Sequence, residues 1–231
     1  MRILLLSHYW APEVGAPQRR WHRLAESLIS RGHEVAVLTP APHYPGGRLL
    51  PGGGAHAAGS IRRDVTGAMV HRTMFRPYDS GVCGRGIDQV VAAADSVRLG
   101  VARFRGADRP DVILGSVPGL PTLPAALAVG RILHRPVVVE LRDAWPDLLL
   151  SAAQWSPPPA CSSTGPQACR TRGLDVVCRG ARSFLPPLIT RLEREAAAVV
   201  TTTDSFAQVL RSRGVRRVVT VRNTGTTVQT G

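Results

Sequence analysis

Residues 2–39, RILLLSHYWAPEVGAPQRRWHRLAESLISRGHEVAVLT, change hydrophobic period three times, and the order of those changes sets the architecture. Arg2 to Leu6 is a short unbroken apolar run, the pattern of a strand buried on both faces. Ser7 to Pro17 then carries two prolines and Gly15, the composition of a loop that closes on a ligand. From Gln18 the spacing becomes helical, with Trp21, Leu24, Ala25, Leu28 and Ile29 on one face, and Gly32 stands where a left-handed C-terminal cap is wanted. Val35 to Leu38 reads as a second buried strand. Strand, loop, helix and strand within about forty residues make a βαβ unit, whose crossover is nearly always right-handed. Its first loop faces the carboxyl ends of the strands, where open sheets of this kind bind ligands.

Beyond that unit, Pro40 to Gly59 is rich in proline, glycine and alanine and reads as a long loop over the cleft. Asp64 to Thr73 alternates weakly, as a strand pair turning at Gly67 would. Ile87, Val90, Val91, Ala94, Val97 and Val101 mark an amphipathic helix. Asp111 to Gly115 predicts a strand, Thr122 to Leu133 a helix, and Pro136 to Leu141 is the strongest β-branched run in the chain. Ser151 to Pro187 breaks the rhythm with six prolines and three of the four cysteines, so it is read as an irregular insertion or a lid. Regularity returns with a helix at Leu188 to Ala197 and a strand at Ala198 to Thr203. Asp204 is expected to cap a helix reaching Arg213, with Gly214 as its stop and a last strand at Val218 to Val221. About six clear strands alternating with helices specify an α/β fold, a Rossmann-like, mostly parallel sheet with helices on both faces.

The 231 residues are enough for a sizeable core, and 44% hydrophobic against 19% charged residues is a globular balance. All 29 basic residues are arginine, and the formal net charge of +13 predicts attraction to polyanions, anionic lipid surfaces or phosphorylated substrates. Nucleic acid is not expected as a partner: only 5% of residues are aromatic and no basic run is interleaved with them. The apolar core Ile3 to Leu6 is too short for a signal peptide. Val112 to Gly130 has no charged residue, but Pro118, Pro121 and Pro124 interrupt it, so it reads as strand, loop and helix start and not as a membrane span. The chain is therefore expected to be soluble and cytoplasmic, with the inner membrane face as a place of peripheral contact. Cys83, Cys161, Cys169 and Cys178 lack metal-site spacing and read as free thiols. A complete nucleotide-dependent oxidoreductase is not expected, because the first loop lacks the G-x-G-x-x-G fingerprint and Thr39-Pro40 stands where an acidic residue would close the second strand.

With the elements placed, five segments resemble the N-terminal domain of family 4 retaining glycosyltransferases of the two-domain GT-B fold, and within them the bacterial surface-polysaccharide branch. They are HYWAPEVGAPQRR (8–20), RGHEVAVLTPAPHYPGG (31–47), RPDVILGSVPGL (109–120), RPVVVELRDAWPDLL (135–149) and AAAVVTTTDSFAQVLRSRG (196–214). The resemblance implies transfer of a sugar from a nucleotide-diphosphate donor, the nucleotide sugar serving as substrate with no cofactor and usually no metal. It implies a lipid-linked or saccharide acceptor and, for bacterial relatives, work at an anionic membrane. In the family a second Rossmann-like domain follows and supplies a pair of glutamates with seven residues between them. The one such pair here, Glu26 and Glu34, runs from a helix into a strand of the first domain and is read as coincidence. Residues 1–225 are accordingly read as the acceptor-side domain with an insertion at 151–187, and 226–231 as a truncated linker. The donor domain is expected to be absent and the chain alone nearly inactive. A non-catalytic Rossmann-like module that docks on an anionic membrane or a partner enzyme is the alternative.

Several residues are candidates for the chemistry. Gly15 corresponds to the family glycine that lets the backbone approach the donor diphosphate; a glycine without Cβ before a helix N-terminus suits an anion, and a plain turn glycine is the other reading. Arg19, Arg20 and Arg23 lie in the first turns of that helix, where cations oppose the macrodipole, so they either contact a phosphate or form a solvated face. Arg142 and Asp143 follow the strongest strand at its carboxyl end, where the polysaccharide branch carries Arg-Asp. The carboxylate would orient an acceptor hydroxyl or take its proton while the arginine keeps it ionised, or the pair is a structural salt bridge. Glu140 is an equally available partner for that arginine. His43 and Tyr44 are placed as an acceptor-side wall, with simple exposure as the other reading. His8 is read as facing the cleft or holding its loop.

Overall fold

The computed structural model describes residues 1–51, 53–79, 82–144, 147 and 184–222. They form one eight-stranded sheet with five helices. The strands are β1 (Arg2–Ser7), β2 (Glu34–Pro40), β3 (Ile61–Arg63), β4 (Met69–Thr73), β5 (Val112–Val117), β6 (Val137–Leu141), β7 (Ala198–Thr201) and β8 (Val218–Thr220). The helices are α1 (Ala16–Ser30), α2 (Val82–Arg103), α3 (Thr122–Leu133), α4 (residues 184–195) and α5 (Asp204–Ser212). Sheet order is β3-β4-β2-β1-β5-β6-β7-β8, parallel throughout except for the β3/β4 hairpin at one edge. The chain moves outward in one direction from β1 to β2 and β4 and in the other from β5 to β8. The reversal between β1 and β5 is the switch point at which such sheets open a crevice.

The unbroken apolar run of β1 reflects a strand covered on both faces. Ile3 and Leu5 pack with Val35, Val37 and Val70 under Trp21 and Ala25 of α1. Leu4 and Leu6 point the other way, into a larger core with Leu38, Ile113 and Val139. Helices α2, α3, α4 and α5 close that second face through Leu99, Leu127, Ile189 and Leu210. Gly32 has the expected left-handed backbone at φ 80°, and Gly214 does the same after α5 at φ 85°.

Four expectations are corrected. The strand pair read at Asp64 to Thr73 starts earlier: its strands are Ile61–Arg63 and Met69–Thr73 with Gly67 in the turn between, and with the six clear strands they make eight among the described residues. Thr203, not Asp204, caps α5: its side chain accepts the Phe206 N–H, and Asp204 opens the first turn. Residues 184–187, read as the end of an irregular insertion, are helical. On α2 the buried stripe is Asp88, Ala92, Asp95 and Leu99, whereas Ile87 and Val90 are half exposed. Residues 151–183 of the expected 151–187 insertion, the linker at 226–231 and the three cysteines Cys161, Cys169 and Cys178 lie outside the described residues. Val112 to Gly130 is β5, a loop and most of α3, and no helix among the described residues is long and apolar enough to cross a membrane.

Candidate active site

The loops that leave the carboxyl ends of the parallel strands are held by charges beneath them. Glu13, in the loop after β1, is buried, and its Oε1 accepts the backbone N–H groups of His43 at 2.8 Å and Tyr44 at 2.9 Å; its Oε2 accepts Gln18 Nε2 at 3.2 Å. Arg72, in β4, donates to the carbonyl oxygens of Pro40, at 3.0 Å, and of Ala11, fastening the loops after β1 and β2. Burial pulls its pKa down to about 10, against the attraction of Glu13 and Asp64. Two carboxylates seven residues apart on α2 grip the segment after β4: Asp88 Oδ1 takes the Arg76 N–H and Asp95 Oδ2 the Met74 N–H, each at 2.8 Å.

His43 is fully buried between two acceptors. Its Nδ1 lies 2.7 Å from the Ala41 carbonyl oxygen and its Nε2 lies 2.8 Å from Asp88 Oδ2. A carbonyl and a carboxylate both accept, so both ring nitrogens donate and the ring is an imidazolium. Burial works against that charge, but the bonds to Asp88 and Ala41 outweigh it and raise the pKa above its ordinary value. Asp88 shows the counterpart: burial pushes its pKa up, but His43, His8 and the Arg76 N–H prevail and hold the carboxyl well below the usual carboxylate range. His8 Nε2 lies 3.3 Å from the same oxygen, out of line for a hydrogen bond. His8, His43 and Asp88 also form a group of metal-ligating side chains with ligand atoms within 4.8 Å of one another.

Gly15 and Asp143 open on the same rim, since each follows a strand of the parallel set β1-β5-β6. Gly15 ends the loop as the N-cap of α1, which has no side-chain cap. Its backbone is extended, and a Cβ there would come within 2.5 Å of Gln18 Oε1, the end of a flexible side chain that can move aside, so local packing alone does not demand glycine. Arg19 and Arg23 are exposed. Arg20, expected at the donor phosphate, is instead engaged: Nε donates to Glu140 Oε1 at 2.5 Å and the guanidinium to the carbonyls of Val221 at 3.0 Å and Arg222 at 3.3 Å. Glu140 thus pairs with Arg20 and not with Arg142, and its second oxygen accepts Ser116 Oγ at 3.0 Å. His43 supports the rim from below and is no exposed wall, while Tyr44 is half-buried against the Tyr9 ring at 5.1 Å. Arg142 and Asp143 are half-buried at the exit of β6. Burial raises the Asp143 pKa and Arg142 only partly opposes it, so the arginine does not keep this carboxyl at its ordinary acidity. Trp145 and Pro146 lie outside the described residues.

Sequence reasoning missed Glu13, Arg72 and Asp88. For Asp88 a signal existed, since Asp88, Ala92, Asp95 and Leu99 recur at helical spacing and put two acids on an otherwise small, apolar stripe.

The model of the Glycosyl transferase 4-like domain family matches residues 15–224, nearly the whole chain. The chain belongs to this family. The glycosyltransferase domain is similar to WcaI of Escherichia coli (strain K12), assigned as a colanic acid biosynthesis glycosyl transferase, with 22% identity over 224 residues. That match covers 96% of this chain and 48% of WcaI. Among solved structures, UGT89C1 of Arabidopsis thaliana complexed with UDP-L-rhamnose matches with 16% identity and a TM-score of 0.51, over 100% of this chain and 51% of that one. A second structure of the same plant protein gives 17% identity and a TM-score of 0.50, again over 100% and 51%. These structural likenesses show the fold. The domain spans about half the length of the relatives it matches.

Proposed function

We propose that this glycosyltransferase domain is the acceptor-side half of a retaining enzyme that moves a sugar from a nucleotide-diphosphate donor to a lipid-linked or saccharide acceptor in cell-surface polysaccharide or glycolipid synthesis. The observation that carries the reading is the family match over residues 15–224 on a doubly wound sheet whose switch point lies between β1 and β5. The assignment of WcaI to colanic acid biosynthesis supports the pathway, and the UDP-L-rhamnose complex of UGT89C1 supports the donor class. Gly15 and the uncapped start of α1 would face the diphosphate, with Arg19 and Arg23 in the same turns. Asp143, whose raised pKa suits proton exchange with an acceptor hydroxyl, and Arg142 would stand on the acceptor side. No metal is required by this scheme. Work in the cytoplasm against the anionic inner membrane face fits the formal net charge of +13.

Catalysis of this kind comes from orienting two substrates and stabilising the leaving diphosphate, which takes groups on both sides of a cleft. The donor-side groups are proposed to reside in the half of the relatives this chain does not span. The test is an assay of the purified 231-residue chain against a panel of nucleotide sugars. Turnover near background, with weak nucleotide-diphosphate binding abolished by Gly15→Val, is expected. Robust turnover by the chain alone overturns the half-site reading, and no binding of any nucleotide diphosphate overturns the donor assignment.

A further inference from the structure

One buried nitrogen beneath the rim lies beside a carboxylate without an aligned hydrogen bond to it. His8 is 4% exposed, and its Nε2 has no hydrogen bond among the described residues although it lies 3.3 Å from Asp88 Oδ2. A buried polar atom left this way costs stability unless something satisfies it. The groups around it are arranged as ligands are. His43 spends Nδ1 on the Ala41 carbonyl and turns Nε2 inward, the orientation that second-shell carbonyls impose on metal-bound imidazoles. Asp88 is fixed by the Arg76 N–H on one oxygen and offers the other. A small cavity of about 10 Å³ lies on the Ser96 and Thr122 side of His8, away from His43 and Asp88, so the three side chains themselves are the ligand set.

We propose that His8, His43 and Asp88 bind one zinc-class divalent cation, which joins the loops after β1 and β2 to α2. Two imidazoles and one carboxylate favour a first-row transition ion over magnesium or calcium. Tetrahedral ligands about 2.0–2.1 Å from zinc stand about 3.3 Å apart, so the His8–Asp88 spacing already fits. The His43–Asp88 contact of 2.8 Å is a hydrogen bond and must open by about half an ångström. Binding replaces the Nε2 proton of His43 by the metal and releases that proton to solvent, so affinity rises with pH until the ring is neutral. The charged or titratable groups facing the ring are Asp88 of α2, His8 after β1, Glu13 Oε1 at 3.9 Å and the Tyr78 ring at 6.0 Å. The ion would lie below the rim and brace it, and the inference does not rest on the sugar-transfer reading.

The experiment uses the purified chain, stripped with EDTA and alkylated with iodoacetamide to block its cysteines, and titrates it with Co²⁺ and then Zn²⁺. The expected result is one equivalent of Co²⁺ with visible d–d bands, displacement by Zn²⁺, release of one proton, and a Tm rise of about 5–10 °C at saturating metal. His8→Phe, which deletes an unbonded nitrogen, should fold normally and weaken binding by about 100-fold. Asp88→Asn should also lose binding; if it fails to fold, His8→Phe decides. Absence of saturable binding by the native chain, loss of all binding on alkylation, or native affinity in a folded His8→Phe variant each overturns the site.

Discussion

Single side chains show how strongly burial can outweigh chemistry. Glu193 on α4 is fully buried, both of its carboxylate oxygens lack a hydrogen-bond partner, and burial pushes its pKa up to about 7 despite the pull of Arg213 and Arg194. In the unfolded chain the same group titrates near the ordinary glutamate value, so between the two the unfolded state sheds a proton that the fold retains. Stability is therefore lost as pH rises from about 4.5 to 7 and stays lost above it. Glu193→Gln should raise unfolding stability by about 3 kcal/mol at pH 8 but only about 1 kcal/mol at pH 5, read from urea titrations at both pH values. An effect equal at the two pH values would refute the burial account. Nothing in the sequence marked this residue, because which helix face is buried at Glu193 depends on where α5 lands. The position of Asp143 was legible for a different reason: it lies two residues past the strongest β-branched run, and strand ends are fixed locally.

At the level of elements, close approach of backbones carries the packing of α3 on β6. A Cβ on Gly130 would meet Val137 Cγ2 at 2.1 Å and the Arg135 carbonyl oxygen at 3.1 Å. Gly130→Ala should thus lose about 1–3 kcal/mol to overpacking even though alanine is the better helix former. Gly86 on α2 has open space, so Gly86→Ala should gain about 0.5–1 kcal/mol in the same denaturation series. Thr203→Ala should cost about 1 kcal/mol as a lost N-cap, with a smaller change for Asp204→Ala, whose carboxylate is solvent-exposed. Equal losses at the two positions would restore Asp204 as the cap. The sequence disclosed α3 to the residue and α1 to within two residues, since each has one continuous apolar stripe. On α2 the pattern misled: valines line an open groove beside α3 and α4, while Asp88 and Asp95 take the buried side because loop N–H groups await them.

Over the whole molecule, parallel pairing followed from the strand–helix alternation, but the strand order did not, because right-handed crossovers leave open which edge each new strand joins. Long-range ties fix that choice, and Arg20 makes the widest. From α1 it reaches Glu140 on β6 and the carbonyls of residues 221 and 222 beyond β8. Its ion pair is buried, with side chains 8% and 5% exposed. Arg20→Met alone should cost about 3–5 kcal/mol, by leaving Glu140 buried and unpaired, whereas Arg20→Met with Glu140→Gln should recover much of that. A double-mutant cycle with no coupling would show the pair to be incidental. The central position of β1 has a further consequence in the cell. Its partner on one side, β5, follows 109 residues later, as the Arg2–Asp111 bond measures. At translation rates of about 5–20 residues per second, the nascent chain waits roughly 5–20 s with that strand's edge bare, long enough for a ribosome-associated chaperone to shield it.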